Sequence, residues 1–168
     1  MRQGVGKWKE LTGWASVEGQ WLRRKHFTPE VLEHIAERIQ KSEQGHSGEL
    51  MVAVEAIMPG HENDSHLRAL EVFGRLRVWD TPADTGVLLY LALDKHRIEI
   101  IADRGVAAAP QQWAQVCQQL QRRLAQGDYV DGLMAAVDEI EKILVGACAP
   151  IAPDEVNLND LPDGPVLL

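Results

Sequence analysis

The sequence predicts an α/β protein: a three-layer α/β/α sandwich built on a small mixed β-sheet with helices on both faces. Three observations carry this. Residues 48–57 (GELMVAVEAI) and 87–93 (VLLYLAL) are apolar at successive positions, which is how strands buried on both faces read. Four other segments carry apolar residues at helical spacing. Their order is helix, strand, helix, strand, strand, helix, helix, and a sheet apolar on both sides needs helices above and below it.

The chain divides into three parts: an N-terminal basic, Trp-rich extension (1–27), an α/β domain (28–148) and an acidic Pro/Asp-rich tail (149–168). In the extension, Trp8, Leu11, Trp14, Val17, Trp21 and Leu22 recur at spacings of three and four, a helical stripe. Gly4, Gly6, Gly13 and Gly19 weaken a helix there. Six basic residues against two acidic ones give this segment a net charge of +4. It has three readings: packed on the domain with Trp14 and Trp21 buried, lying on a membrane surface, or an unstructured extension.

Thr28-Pro29-Glu30 is a helix start, with a Thr cap, Pro at the first position and an acid in the first turn. Leu32, Ile35, Ala36 and Ile39 form its buried face, and Gly45 is placed to end it in a left-handed cap. The first strand follows. A polar loop at 59–64 leads into a helix over 65–78, with Leu67, Leu70, Phe73 and Leu76 expected inward. Next comes a β-hairpin turning at 94–96. Pro110 opens a helix striped by Trp113, Val116, Cys117, Leu120 and Leu124, which Gly127 ends. Asp128 is the expected cap of the last helix, whose inward residues are Leu133, Val137, Ile140 and Leu144. The tail is expected to lack regular structure, with Val166, Leu167 and Leu168 able to dock.

Composition narrows the class. The 168 residues fit one domain, and 45% hydrophobic with 25% charged residues is ordinary for a globular chain. A net charge of −8 argues against nucleic acid as a partner. Four acids and no base give the tail a charge of −4. Two cysteines without nearby ligands suggest neither a disulfide framework nor a zinc site. No apolar run reaches membrane-spanning length and no signal-peptide pattern opens the chain. A cytoplasmic location is the expectation.

The stretches HSGELMVAVE (46–55), DTGVLLYLALDKHRIEIIADRGV (84–106) and GDYVDGLMAAVDEI (127–140) resemble the TPM domain family. So does the order in which they occur. ALEVF (69–73), WDT (79–81) and the closing NLNDLPDGPVLL (157–168) are similar to its short bacterial members. The resemblance covers roughly residues 20–168. The family is named partly for thylakoid-lumen proteins linked to photosystem II repair and assigned acid phosphatase activity. The resemblance implies a TPM-like sandwich, bound calcium or magnesium, and a LemA-type or other membrane-associated protein as partner. Two positions depart from the pattern: Asp84 stands where relatives often carry Asn, and Ala102-Asp103-Arg104-Gly105 replaces a smaller turn.

The candidate metal ligands are Asp84, Asp103, Asp128 and Glu49. Pairing the hairpin about its turn brings Asp84 and Asp103 to one end of the sheet, where oxygen donors suit a hard cation such as Ca2+ or Mg2+. The plainer reading makes Asp84 and Asp103 turn residues and Asp128 a helix cap. The chain carries no Gly-rich phosphate loop, and the segment after Cys117 has the wrong spacing for a cysteine phosphatase. The histidines lack metal-ligand spacing, and HENDSH (61–66) reads as a solvated loop. Two functions remain: a binding or accessory module associated with a membrane-linked assembly, and a divalent-metal-dependent phosphatase using carboxylates at one end of the sheet.

Overall fold

A computed structural model describes residues 14–168. Trp8 and Leu11 of the extension lie outside the described residues, and so does the side chain of Trp14. The elements in chain order are α1 (Trp14–His26), α2 (Pro29–Ser42), a 3-10 turn (Glu43–Gly45), β1 (Glu49–Glu55), α3 (Ser65–Arg75), β2 (Gly86–Ala92), β3 (Arg97–Ala102), α4 (Pro110–Ala125), α5 (Val130–Ala147) and β4 (Val166–Leu167). The strand order is β3-β2-β1-β4. β1 runs parallel to β2 and to β4, and β2 is antiparallel to β3.

The two apolar faces anticipated for β1 and β2 are both buried. Leu50, Val52, Val54, Val87, Leu89 and Leu91 point to the core shared with α2, α4 and α5. Met51, Ala53, Leu88, Tyr90 and Ala92 point to a second core under α3 and the tail, where Leu161 is buried. The chain is thus a mixed four-stranded sheet with helices on both faces.

Three local expectations are corrected. α3 ends at Arg75 and turns Arg68, Ala69 and Val72 inward. Leu67 and Leu70 are exposed. The face turned inward pairs Arg68 with buried Glu55, which would otherwise lie unpaired, and buries Ala69 and Val72 in the second core. Gly45 lies in the 3-10 turn rather than a left-handed cap; the positive-φ glycine among the described residues is Gly127 (φ 80). Tyr129, not Asp128, precedes α5 as its cap residue, without a side-chain bond. The docking expected of Val166, Leu167 and Leu168 is present: β4 pairs with Ala53 and Val54, and Leu168 N donates to Val54 O (2.9 Å); Ser47 N also donates to Ala149 O (3.0 Å).

Residues 14–26 form a docked helix. Ala15 and Leu22 are buried beneath it, whereas Trp21 is 54% exposed, so packing of Trp21 into the domain is also corrected. A Cβ on Gly19 would come within 2.0 Å of Ala56 O, so α1 rests directly on the chain leaving β1.

Candidate functional site

The expected hairpin register is present. Val87 pairs with Ala102, and Asp103 N donates to Gly86 O at 2.9 Å. Glu49 lies opposite Gly86 in the β1–β2 pair. Glu49, Asp84 and Asp103 therefore share the amino-terminal end of the central strands. Asp84 holds a left-handed backbone (φ 53), and Gly105 N donates to its carbonyl at 2.8 Å. Both glycines beside this turn are needed. A Cβ on Gly86 would meet Val78 O at 1.9 Å, and one on Gly105 would meet Ala83 O at 2.0 Å.

Each of these carboxylates has a protein partner. Arg104 Nε donates to Asp84 Oδ2 (2.8 Å), and the Arg104 amide donates to Asp103 Oδ1 (2.8 Å). Glu49, 4% exposed, accepts the amides of Asp160 (2.8 Å) and Leu161 (2.6 Å), one on each oxygen. Burial and the nearby Asp160 and Asp163 push its pKa up, and the two amides oppose this. Asp128 is not brought to this end. It binds Arg123 Nε at 2.6 Å, and the neighbouring Tyr129 borders the cavity at the hairpin turn, beside Leu93 and His96. A seven-residue strand, roughly 23 Å long, separates the two ends. Each of Glu49, Asp84 and Asp103 thus has at least one carboxylate oxygen engaged by a protein donor. No group of three or more His, Cys, Asp or Glu among the described residues is arranged to hold a metal.

Beneath the same end lies a buried polar cluster that periodicity did not reveal. Gly48 N donates to His46 Nδ1 (3.1 Å), which places the ring proton on Nε2, 2.6 Å from Glu141 Oε2. Leu50 N donates to Glu43 Oε1 at 2.7 Å. Burial is the main reason the Glu43 carboxyl is pushed up to about 9; the Leu50 bond opposes this, and Glu141, Asp163 and Glu49 add to it. Glu141 is also pushed up, chiefly by burial. The signal available in the sequence was three acids and a histidine within or beside apolar runs, at Glu43, His46, Glu49 and Glu141. A cavity of about 150 Å³ borders Glu49 and is lined also by Ser47, Asn157, Leu158 and Asp160.

The opposite end of β1 carries a buried ion pair. Glu55 accepts Arg68 Nη2 (2.7 Å) and Nε (3.0 Å), and the Tyr90 hydroxyl donates to the same carboxylate. Arg68 Nη1 reaches Glu71 at 2.8 Å. Every named group is paired within the protein, which is the arrangement of a structural clamp. Removing one member of such a buried pair costs about 3–5 kcal/mol.

Above that end, α1 presents an outward stripe. Val17 is 66% and Trp21 54% exposed. Arg24 and Lys25 are exposed beside them. Spacings of three and four place these residues on one face, and Lys25 Nζ lies 4.4 Å from the Trp21 ring centroid. Among the described residues, no helix is long and apolar enough to cross a membrane.

The model of the family described as TPM domain matches residues 23–143. Among solved structures, the NMR structure of BA42 protein from the psychrophilic bacterium Bizionia argentinensis is similar, with 26% identity and a TM-score of 0.73. The alignment covers 84% of this chain and 94% of BA42. No curated protein matches the chain.

Proposed function

The chain belongs to the TPM domain family, and from that premise we propose that it is a binding and accessory module that docks on a membrane-linked assembly through the outward face of α1. The carrying observation is the exposed Val17–Trp21 pair flanked by Arg24 and Lys25 on a helix pinned from below at Gly19. Tryptophan suits a membrane interface. A basic residue near an anionic surface contributes about 1 kcal/mol. The negative potential lies on the cytoplasmic leaflet, which fits a cytoplasmic protein. A LemA-type or other membrane-associated protein is the partner class this reading names. The protein should co-sediment with bacterial inner-membrane vesicles, and the double variant Val17→Glu/Trp21→Glu should lose at least about tenfold in affinity, or ~1.4 kcal/mol. Binding that survives protease-stripping of the vesicles assigns the contact to lipid; binding lost on stripping assigns it to a protein. Equal sedimentation of wild type and variant sinks the reading.

A second reading, a divalent-metal-dependent phosphomonoester hydrolase, has one supporting observation: Glu49, Asp84 and Asp103 share one end of the sheet. The Asp84–Arg104 pair is exposed, and such pairs are weak enough for an ion to displace. Calcium, magnesium or manganese at ~100 times its dissociation constant would stabilise the fold by about 2.7 kcal/mol. On this reading, melting with each ion raises Tm in wild type and not in Asp84→Asn/Asp103→Asn. No rise with any ion removes it.

A further inference from the structure

Residues 157–168 sit on the domain as a ligand sits in a groove. β1 is seven residues long, yet β4 pairs with only Ala53 and Val54 at its outer edge. Before that, the tail is held at separate points. Asn157 Nδ2 donates to Glu43 O (2.8 Å), and the consecutive amides of Asp160 and Leu161 meet the two oxygens of Glu49. Leu161 is 6% exposed in the second core, whereas Val156 and Leu158 are 78% and 77% exposed. Within itself the segment makes side-chain bonds about Asn159, whose backbone is left-handed (φ 45).

These contacts are of two kinds. The Glu49 bonds and the β4 pairing read only backbone, so they supply affinity without naming a sequence. The Leu161 side chain fills a pocket and supplies selectivity. Main-chain pairing at a sheet edge combined with one or two side-chain pockets is how a sheet captures an extended peptide. Glu49 adds a reason for the groove to stay filled, since a buried carboxylate without donors is costly.

We propose that the outer edge of β1, from Glu49 to Val54, is a peptide-binding groove whose resident ligand is this chain's own residues 157–168. The peptide it takes in trans has the same chemistry: two successive free amides, a leucine-sized side chain on the second of those residues, and an aliphatic end that runs parallel to β1. The tail acts as a tethered competitor, so apparent affinity for an added peptide is reduced by the fraction of time the groove is closed. This site is distinct from the outward face of α1, and the tail touches that helix at Leu168 O, which accepts from Arg23 Nη1 at 3.5 Å.

The test uses the full chain and a fluorescent peptide of residues 157–168. Leu161→Ala weakens the resident and leaves the groove intact, so it should bind the peptide at least about tenfold more tightly than wild type does. A peptide carrying the same Leu→Ala change should lose that binding, as should the double variant Glu49→Ala/Leu161→Ala. Amide exchange of unaltered protein gives a second readout. The Asp160 and Leu161 amides should exchange faster than those of β2 through local opening. Lack of peptide binding to Leu161→Ala overturns the proposal. So does exchange of the tail amides only together with those of β2, because the tail would then be an integral part of the fold.

Discussion

Glu43 is a carboxyl group that the fold keeps protonated well above its ordinary range. It is 2% exposed, and burial among Glu49, Glu141 and Asp163 pushes it up to about 9 from an unfolded value of 4.5. Between those values the folded chain holds one proton more than the unfolded chain. Stability from this group is therefore full below the unfolded value and is lost as pH rises toward the folded one. Within the window the loss is at most about 1.4 kcal/mol per pH unit, and each kcal/mol moves Tm by roughly 2–4 °C for a chain of this length. Glu43→Gln keeps an oxygen for the Leu50 amide and removes the ionisation. Its Tm should match wild type at about pH 5, exceed it by a gap that widens toward pH 9, and hold that gap beyond. A constant gap across the whole range would mean that Glu43 does not titrate in this way.

At the scale of elements, helix rotation and docking followed specific partners as well as apolar spacing. Of the inward stripe expected for α3, Phe73 and Leu76 pack against the second core, whereas Leu67 and Leu70 are exposed and Arg68 turns inward to reach Glu55 and Glu71. Spacing alone cannot weigh an apolar contact against an unpaired buried charge. In α1, Gly19 looked like a helix breaker, yet its missing Cβ is what lets the helix approach Ala56 O. Gly19→Ala gains up to about 1 kcal/mol of helix propensity. It must also displace a backbone carbonyl, and overpacking of this kind costs about 1–3 kcal/mol. The net effect should be a lower Tm. Gly74→Ala in α3 meets nothing within 4 Å and should raise Tm by the propensity gain, so the two melts should move in opposite directions.

For the whole molecule, charge is arranged along the strand axis. α1, with Arg23, Arg24 and Lys25, covers the carboxyl-terminal end of β1. Glu49, Asp84, Asp103 and Glu141 gather toward the amino-terminal end, beside the protonated Glu43. A net charge of −8 thus coexists with a basic face able to meet an acidic surface. The sheet, its two-sided burial, the hairpin register and the family motifs were legible because each depends on neighbours within a few residues or on the period of a strand. The inward turn of Arg68, the capture of the tail by Glu49, and the separation of Asp128 from Asp84 were not. Each depends on where a residue far along the chain comes to rest: Arg68 on Glu55, Asp160 and Leu161 on Glu49, Asp128 on Arg123. Periodicity tells which side of an element is buried. Only the folded chain sets which buried charge meets which donor, because that pairing is made by packing between elements that no local pattern encodes.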